Sequence, residues 1–312
     1  MSHAFFTPDA VATTLERVRA ATPLVHNITN IVAANSTANA LLALGASPAM
    51  VDAEEEVEAF AAQAAALVVN IGTITAPQAA AITRATKAAQ RAGTPWILDP
   101  VAVGALAFRA RIALDSMAHA PQAIRGNASE IIALAHLRDG HAEPPPSGRG
   151  VDSLKTAEQA VDAAGRLARS TGACVVVSGA TDHITDGTRI ATVANGHPMM
   201  TRVTALGCTA TALAGACLAV EPDAMVACAH AMVLIGLAGE RAAREAAGPG
   251  SLQVRLLDTL YQLDRDTLSK GAGFAIRPPG EPHCIGGAHH LGALHAWPCA
   301  TTRPQPGHPS RR

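Results

Sequence analysis

The chain has 312 residues, 49% of them hydrophobic, 16% charged and 3% aromatic, with a formal net charge of −1. That length buries a sizeable core, and the alanine-rich apolar content suits helices packed closely on a sheet. Near-neutrality supplies no basic field for a nucleic-acid backbone or an anionic lipid surface, so neither partner is expected, and a small neutral substrate fits better.

From Ile31 the apolar residues recur at helical spacing to Leu44, and Gly45 supplies a left-handed stop. Pro48 to Val51 reads as a short buried strand. The next helix is expected to be capped by Asp52, with Glu54, Glu55 and Glu56 in its first turn, and leads to a strand over Leu67 to Ile71. Thr75 and Gln78 have the spacing of a capping box ahead of a helix to Arg91, and Trp96 to Asp99 follows as a strand. Ala123 to Gly126 and Ala173 to Ser178 repeat the alternation, each after a helical segment, which predicts a parallel sheet covered by helices.

Asp186-Gly187, between His183 to Thr185 and Arg189 to Val193, has the sequence of a two-residue hairpin turn and predicts an antiparallel edge. Three helices are then expected, over Cys208 to Val220, Ala224 to about Ala247 and Ser251 to about Leu268. The longest near-apolar stretch, Ala224 to Gly239, contains His230 and reads as a buried helix, since roughly 20 apolar residues are needed to span a bilayer. The N-terminus has no basic region followed by an apolar run, so no signal peptide is read and a cytoplasmic protein is expected. His136 to Gly150, with three consecutive prolines, reads as a surface loop. Residues 1–270 form the expected domain, and 271–312, with seven glycines and seven prolines and no period, read as a disordered tail. Cys284, His289, His290, His295 and Cys299 in that tail are metal-capable, but their spacings match no named pattern, and a flexible tail is the plainer reading. The six cysteines are widely spaced with no CxxC pair, so neither a zinc finger nor a disulfide framework is indicated.

The chain contains no G-x-x-x-x-G-K-[ST], G-x-G-x-x-G, G-x-S-x-G or H-E-x-x-H string. In a parallel α/β sheet, ligands collect beyond the carboxyl ends of the strands, which directs attention to Asn70, Gly72, Asp99, Arg125, Asn127, Ser178 and Gly207-Cys208. Asp99 can hold Mg²⁺ or simply cap a turn. Arg125 puts a fixed cation at a strand end and Glu130 a carboxylate in the following helical turn; the stretch also reads as an ordinary helix start. Thr204 to Thr209 opens a helix whose free N–H groups can face an anion. The positive helix end is expected to lower the Cys208 thiol pKa, although many cysteines so placed are merely packed.

Together these strings resemble the hydroxyethylthiazole kinase family of the ribokinase-like kinases. The resemblance rests on Pro23-Leu24-Val25-His26-Asn27-Ile28-Thr29-Asn30, Leu41 to Met50, Asn70-Ile71-Gly72-Thr73, Leu98-Asp99-Pro100-Val101-Ala102-Val103-Gly104-Ala105 and Ile124 to Glu130. Val151-Asp152-Ser153, Thr185-Asp186-Gly187, Asn195-Gly196-His197-Pro198 and Gly248-Pro249-Gly250-Ser251 extend it to about residue 265.

The resemblance implies an α/β protein with a three-layer α/β/α fold and a mostly parallel central sheet. It implies ATP as co-substrate, Mg²⁺ as cofactor, and a homotrimer with active sites between subunits. The implied reaction is phosphorylation of the hydroxyl of 4-methyl-5-(2-hydroxyethyl)thiazole in thiamine salvage. It assigns Met50 and Ala205 to the thiazole, Arg125 and Ser178 to ATP, Asp99 and Glu130 to the metal, and Cys208 to the substrate hydroxyl.

Two departures stand out. Ala205-Leu206-Gly207-Cys208 replaces the family's usual Gly-Thr-Gly-Cys, and Ser178-Gly179-Ala180 replaces Thr-Gly-Glu. A ribokinase-like kinase of another small alcohol and a catalytically weak thiazole-binding protein are the rival readings.

Overall fold

The computed structural model describes residues 5–141 and 153–277. The first layer partner is α1 (Pro8–Ala21), which starts at Thr7, whose hydroxyl accepts the Ala10 N–H, and stops at Thr22 in the left-handed conformation. Then come β1 (Leu24–Ile28), α2 (Ala34–Leu44), β2 (Ser47–Ala49), α3 (Val57–Gln63), β3 (Ala66–Asn70) and α4 (Ala76–Ala92). They are followed by β4 (Trp96–Asp99), α5 (Ala107–Met117), β5 (Ala123–Asn127), α6 (Ala128–Arg138), α7 (Ser153–Thr171) and β6 (Cys174–Ser178). The chain continues through β7 (Asp182–Thr185), β8 (Ile190–Val193), a 3₁₀ turn at Pro198–Arg202, α8 (Leu206–Leu218), α9 (Ala224–Glu245), α10 (Pro249–Gln262), α11 (Arg265–Gly271) and β9 (Phe274–Arg277).

The strands form one sheet in the order β2-β1-β3-β4-β5-β6-β7-β8-β9. Pairing is parallel from β2 to β6 and antiparallel from β6 to β9. Strand side chains alternate between two faces. Val25, Val68, Ile97, Ala123 and Val176 join the core made with α1, α2, α8, α9, α10 and α11. Ile28, Leu67, Val69, Trp96, Leu98, Ile124 and Val175 join the core made with α3 to α7. Buried on both faces, β3, β4 and β6 are the apolar runs that a parallel sheet requires. The three layers are those implied by the resemblance. Helix α8 lies directly against the sheet because Gly215 has no Cβ; one there would fall 2.5 Å from Val68 Cγ2.

The predicted capping box of α4 is present, with Thr75 and Gln78 each bonded to the other's backbone. Several boundaries differ from the sequence reading. Ala53 to Glu56 form a turn, so α3 starts at Glu56 with no side-chain cap instead of at Asp52. The hairpin between β7 and β8 has four loop residues, since Thr185 pairs with Ile190, and the Asp186 carboxylate accepts the N–H groups of Thr188 and Arg189 across it. The last predicted helix is two, broken at Leu263, with Asp264 capping α11 through the Thr267 N–H.

Residues 274–277 were expected to be tail, but form β9 on the outer edge of β8. Four residues are too few to show a period, and edge pairing supplied by β8 decides the matter. The proline loop over 142–150 and the cysteine and histidine residues beyond 277 lie outside the described residues. Helix α9 is long and apolar enough to cross a membrane by composition, but most of that stretch is enclosed by the protein's own core, as expected of a buried helix.

Candidate active site

All the parallel strands from β2 to β6 finish on one edge, so the polar residues that follow them stand in a row set by strand order. Met50 follows β2, Asn30 follows β1, Asn70 and Asp99 end β3 and β4, Arg125 and Asn127 close β5, and Ser178 ends β6. Because β7 runs the other way, its first residue, Asp182, returns to the same edge. Five interstrand steps separate β2 from β6, and at about 4.8 Å each the row spans roughly 24 Å.

The middle of the row is a buried hydrogen-bond network. Asp99 Oδ2 accepts from Asn70 Nδ2 at 2.7 Å and from the Thr211 hydroxyl at 2.9 Å. Asn70 Oδ1 accepts from Asn30 Nδ2 at 2.8 Å and from the Gly72 N–H at 2.9 Å, and Asn30 Nδ2 also reaches Cys208 Sγ at 3.4 Å. Arg125 is buried, with Nε on Met232 Sδ at 3.4 Å and Nη1 on the Gly207 carbonyl at 2.9 Å. Among the described residues, these contacts leave the two hydrogens of Nη2 without an acceptor. Asp99 Oδ1 likewise has no donor among the described residues, which is what a cation or its water shell needs.

Glu130 closes the far side of this centre. Its Oε2 accepts the Asn127 N–H at 2.9 Å, completing a capping box with Asn127 at the start of α6, and its Oε1 accepts the Ala102 N–H at 2.9 Å. Glu130 therefore holds the loop after β4, where Ala102 has a positive φ of 56°, as well as adding negative charge beside Asp99.

Helix α8 begins at Ala205, which caps it in the left-handed conformation (φ 65°, ψ 0°) with no side-chain acceptor at the cap. Among the described residues nothing accepts the N–H groups of Leu206, Gly207 and Cys208, so three donors at the positive end of a 13-residue helix face the site. Leu206, the bulkier of the two departures in this turn, packs its side chain on the core shared with α9 and leaves the turn open. Ala205 adopts the same half of φ space that glycine favours, at a steric cost of roughly 1–2 kcal/mol.

Electrostatics set the protonation states. Burial raises the Asp99 carboxyl to about 6; Arg125 pulls it back, Glu130 pushes it further up, and the donors Thr211 and Asn70 favour the ion. Burial also raises the Cys208 thiol, the Asp99 charge adds to this, and the amides of Asn30 and Asn70 and the Arg125 charge only partly offset it. This reverses the direction expected from the helix end alone, because desolvation in a centre that already holds a carboxylate outweighs the dipole. Cys208 is a thiol at neutral pH and serves as a hydrogen-bonding group.

The two ends of the row are simpler. Ser178 donates to the Gly126 carbonyl at 3.3 Å, tying β6 to β5. Asp182 accepts the Gly179 N–H at 3.0 Å; burial raises its pKa and Arg125 lowers it. It is a carboxylate beside the arginine that the sequence reading, which noted only the loss of a glutamate at Ala180, did not see.

At the other end Met50 is 39% exposed. Its position is set from behind by His26, whose Nε2–H donates to the Val51 carbonyl at 2.7 Å, and by Gln78, which bridges Asp52 at 3.1 Å and the Thr29 carbonyl at 3.5 Å. Of the predicted residues, then, Asp99, Glu130, Arg125, Ala205 and Cys208 converge, while Ser178 and Met50 mark opposite ends. Asn30, Thr211, Asp182 and His26 were missed; only the string containing His26 and Asn30 had drawn attention, without a role.

The fold and this edge define the class: an α/β protein of ribokinase-like fold whose strand-end edge is suited to an anion. A ribokinase-like superfamily protein from Enterococcus faecalis superposes with a TM-score of 0.56 at 15% identity, over 79% of this chain and 89% of that one, and supports the fold alone. The sequence model of the hydroxyethylthiazole kinase family matches residues 15–266. Hydroxyethylthiazole kinase from Granulibacter bethesdensis is 58% identical over 262 residues, covering 84% of this chain and 93% of the relative. The structure of the hydroxyethylthiazole kinase protein from Pyrococcus horikoshii has a TM-score of 0.78 at 40% identity, over 86% of this chain and 98% of that one. The chain belongs to the hydroxyethylthiazole kinase family.

Proposed function

We propose that this chain transfers the γ-phosphoryl group of ATP to the hydroxyl of 4-methyl-5-(2-hydroxyethyl)thiazole, with the thiazole at the Met50 end of the strand-end row and the nucleotide at the Ser178 end. The observation that carries this reading is the centre of the row, where buried Arg125, the open N–H groups of Leu206 to Cys208 and the Asp99 carboxylate meet. Arg125 Nη2 and the three amides bind and orient phosphate oxygens, and most of the rate enhancement comes from this positioning and charge neutralisation. Cys208 accepts a hydrogen bond from the substrate hydroxyl and turns its oxygen lone pair to phosphorus. A loose phosphoryl-transfer transition state asks little of proton removal, so a thiol serves there.

The residues also fit Mg²⁺, a hard dication that favours carboxylate oxygens. Asp99, through its free Oδ1, and Glu130, through the lone pairs not used by Ala102 and Asn127, would hold it, and it would supply neutralisation of phosphate charge. Met50 and Ala205 border the thiazole; Ser178 and Asp182 border the nucleotide.

A homotrimer with sites between subunits is part of the proposal. What supports it is the bare apolar surface next to Asn30, where Ile31 is 80% and Val32 55% exposed beside the half-exposed Met50. Light scattering should give three times the chain mass. An ATP-consuming step is served in the cytoplasm, and residues 1–270 would be the catalytic domain.

The weak-binder reading was motivated by Ala205 and Leu206. The left-handed cap and the core packing of Leu206 keep the donors in place, which favours an active enzyme. ADP release with the thiazole alcohol, measured beside a panel of other small alcohols, tests the proposal. Stimulation by the thiazole, and loss of about 10²–10³-fold in kcat for Arg125→Ala, are the expected results. Binding of the thiazole without ADP release would favour the weak binder, and stimulation only by another alcohol would favour the second kinase.

A further inference from the structure

Asn30 carries a role that neither its residue type nor its sequence position announces. Its Oδ1 accepts the Ala33 N–H at 2.9 Å, and a backbone N–H can only donate, so the amide orientation is fixed. Nδ2 must then face the other way, where its two hydrogens reach Asn70 Oδ1 at 2.8 Å and Cys208 Sγ at 3.4 Å. Asn70 is oriented by the same logic, because its Oδ1 also takes the Gly72 N–H at 2.9 Å, which leaves Nδ2 to donate to Asp99 Oδ2. Gly72 has no room for a side chain here; a Cβ would lie 2.9 Å from Asn30 Nδ2. Two backbone amides thus set the direction of every hydrogen bond from Cys208 to Asp99, and Asn30 and Asn70 are both buried.

We propose that Asn30 is a positioning residue for phosphoryl transfer: by donating to Cys208 Sγ it occupies one sulfur lone pair, fixes the side-chain rotamer, and leaves the sulfur's other lone pair facing the substrate hydroxyl. This rests on the reading of Cys208 as the partner of that hydroxyl. Without this donor, Sγ at the first turn of α8 keeps only the Asn70 amide, which already donates to Asp99 Oδ2, so the sulfur is less firmly held and the hydroxyl loses its aim even with the metal and phosphate groups intact. The charged groups facing Cys208 are Asp99 on β4 and Arg125 on β5, and neither supplies a directional hydrogen bond to sulfur.

The test uses the full chain and a double-mutant cycle, with Asn30→Ala and Asn30→Ser, each alone and with Cys208→Ala. Serine keeps an acceptor for the Ala33 N–H, so it holds the turn if alanine unfolds it. Asn30→Ser is expected to lower kcat for the thiazole alcohol about tenfold, leave KM for ATP within twofold, and cost less than twofold once Cys208 is already alanine. An equal loss in both backgrounds overturns the proposal, because a structural defect does not depend on the sulfur.

A second readout needs no turnover: alkylation of Cys208 by iodoacetamide at pH 8, followed by mass spectrometry of its own peptide. Loss of the donor is expected to slow it several-fold, and an unchanged or faster rate overturns the proposal. If Cys208→Ala alone leaves kcat/KM unchanged, it is the role of Cys208 that fails, and this outcome is distinguishable from additivity in the cycle.

Discussion

The strand-end row and the β7–β8 hairpin are both polar turns on the same sheet, yet they are built on opposite terms. In the row, residues with a Cβ take the left-handed conformation, with Thr73 at φ 46°, Ala102 at 56° and Ala205 at 65°. Its central carboxylate, Asp99, is desolvated and raised to about 6. In the hairpin the left-handed position is a glycine, Gly187 at φ 90°, and Asp186 is lowered to about 2: burial opposes this, but the Arg189 and Thr188 donors prevail. Arg189 also spans to Asp223 at 2.7 Å, so each charge has a partner. The hairpin is arranged for its own stability, and the row holds a desolvated carboxylate and left-handed residues with a Cβ, states that cost the fold on its own.

Asp99→Asn is the change that tests this contrast most severely. The asparagine oxygen can still accept from Asn70 and Thr211, but the charge is gone, so kcat is expected to fall by about 10²–10³-fold. Stability is expected to move the other way. The folded-state pKa of about 6 lies above the ordinary 3.8, so ionisation of Asp99 destabilises the fold progressively as pH rises from about 4 and fully above 6. A shift of that size corresponds to something on the order of 3 kcal/mol. Urea unfolding should therefore find Asp99→Asn more stable than the parent at pH 8 and the two nearly equal at pH 4. A variant less stable at both values would break the comparison.

How much of this was legible in the sequence follows from the range of the forces involved. The strand ends at Asn70, Asp99 and Ser178 could be read because a buried parallel strand is a short apolar run, and the first polar residue marks its exit. The capping box at Thr75 is local and was found. The Asn30–Asn70 bond joins residues 40 apart, and Thr211–Asp99 joins residues 112 apart, so no spacing rule reaches them. Glu130 was read as a metal residue, and its tie to Ala102 depends on how the loop after β4 folds back over α6. The Cys208 thiol was misjudged in direction for the same reason: the helix end is visible in sequence, but the burial and the Asp99 charge that outweigh it are properties of the assembled sheet.

The hairpin should respond more modestly, and with activity unaffected. In Gly187→Ala, the new Cβ would sit 2.7 Å from Arg169 Cγ in a left-handed turn, and the change is expected to cost about 2 kcal/mol. The melting temperature should drop while kcat stays within twofold of the parent. A loss of activity larger than the loss of folded protein would mean that the hairpin is coupled to the row, and the contrast would need redrawing.

The smallest expected effect is the most specific to this chain. Ala205→Gly restores at the α8 cap the residue that left-handed geometry favours, relieving about 1–2 kcal/mol of steric strain. It also gives the unfolded chain more freedom, which offsets part of the gain, so a net stabilisation of about 0.5–1 kcal/mol is expected. The N–H groups of Leu206, Gly207 and Cys208 are backbone and survive the change, so kcat should move less than twofold. If turnover instead falls several-fold as stability rises, the Cβ of Ala205 is holding the anion-binding turn rigid. The strain would then be part of how this site is preorganised, and the difference between row and hairpin would extend to a single methyl group.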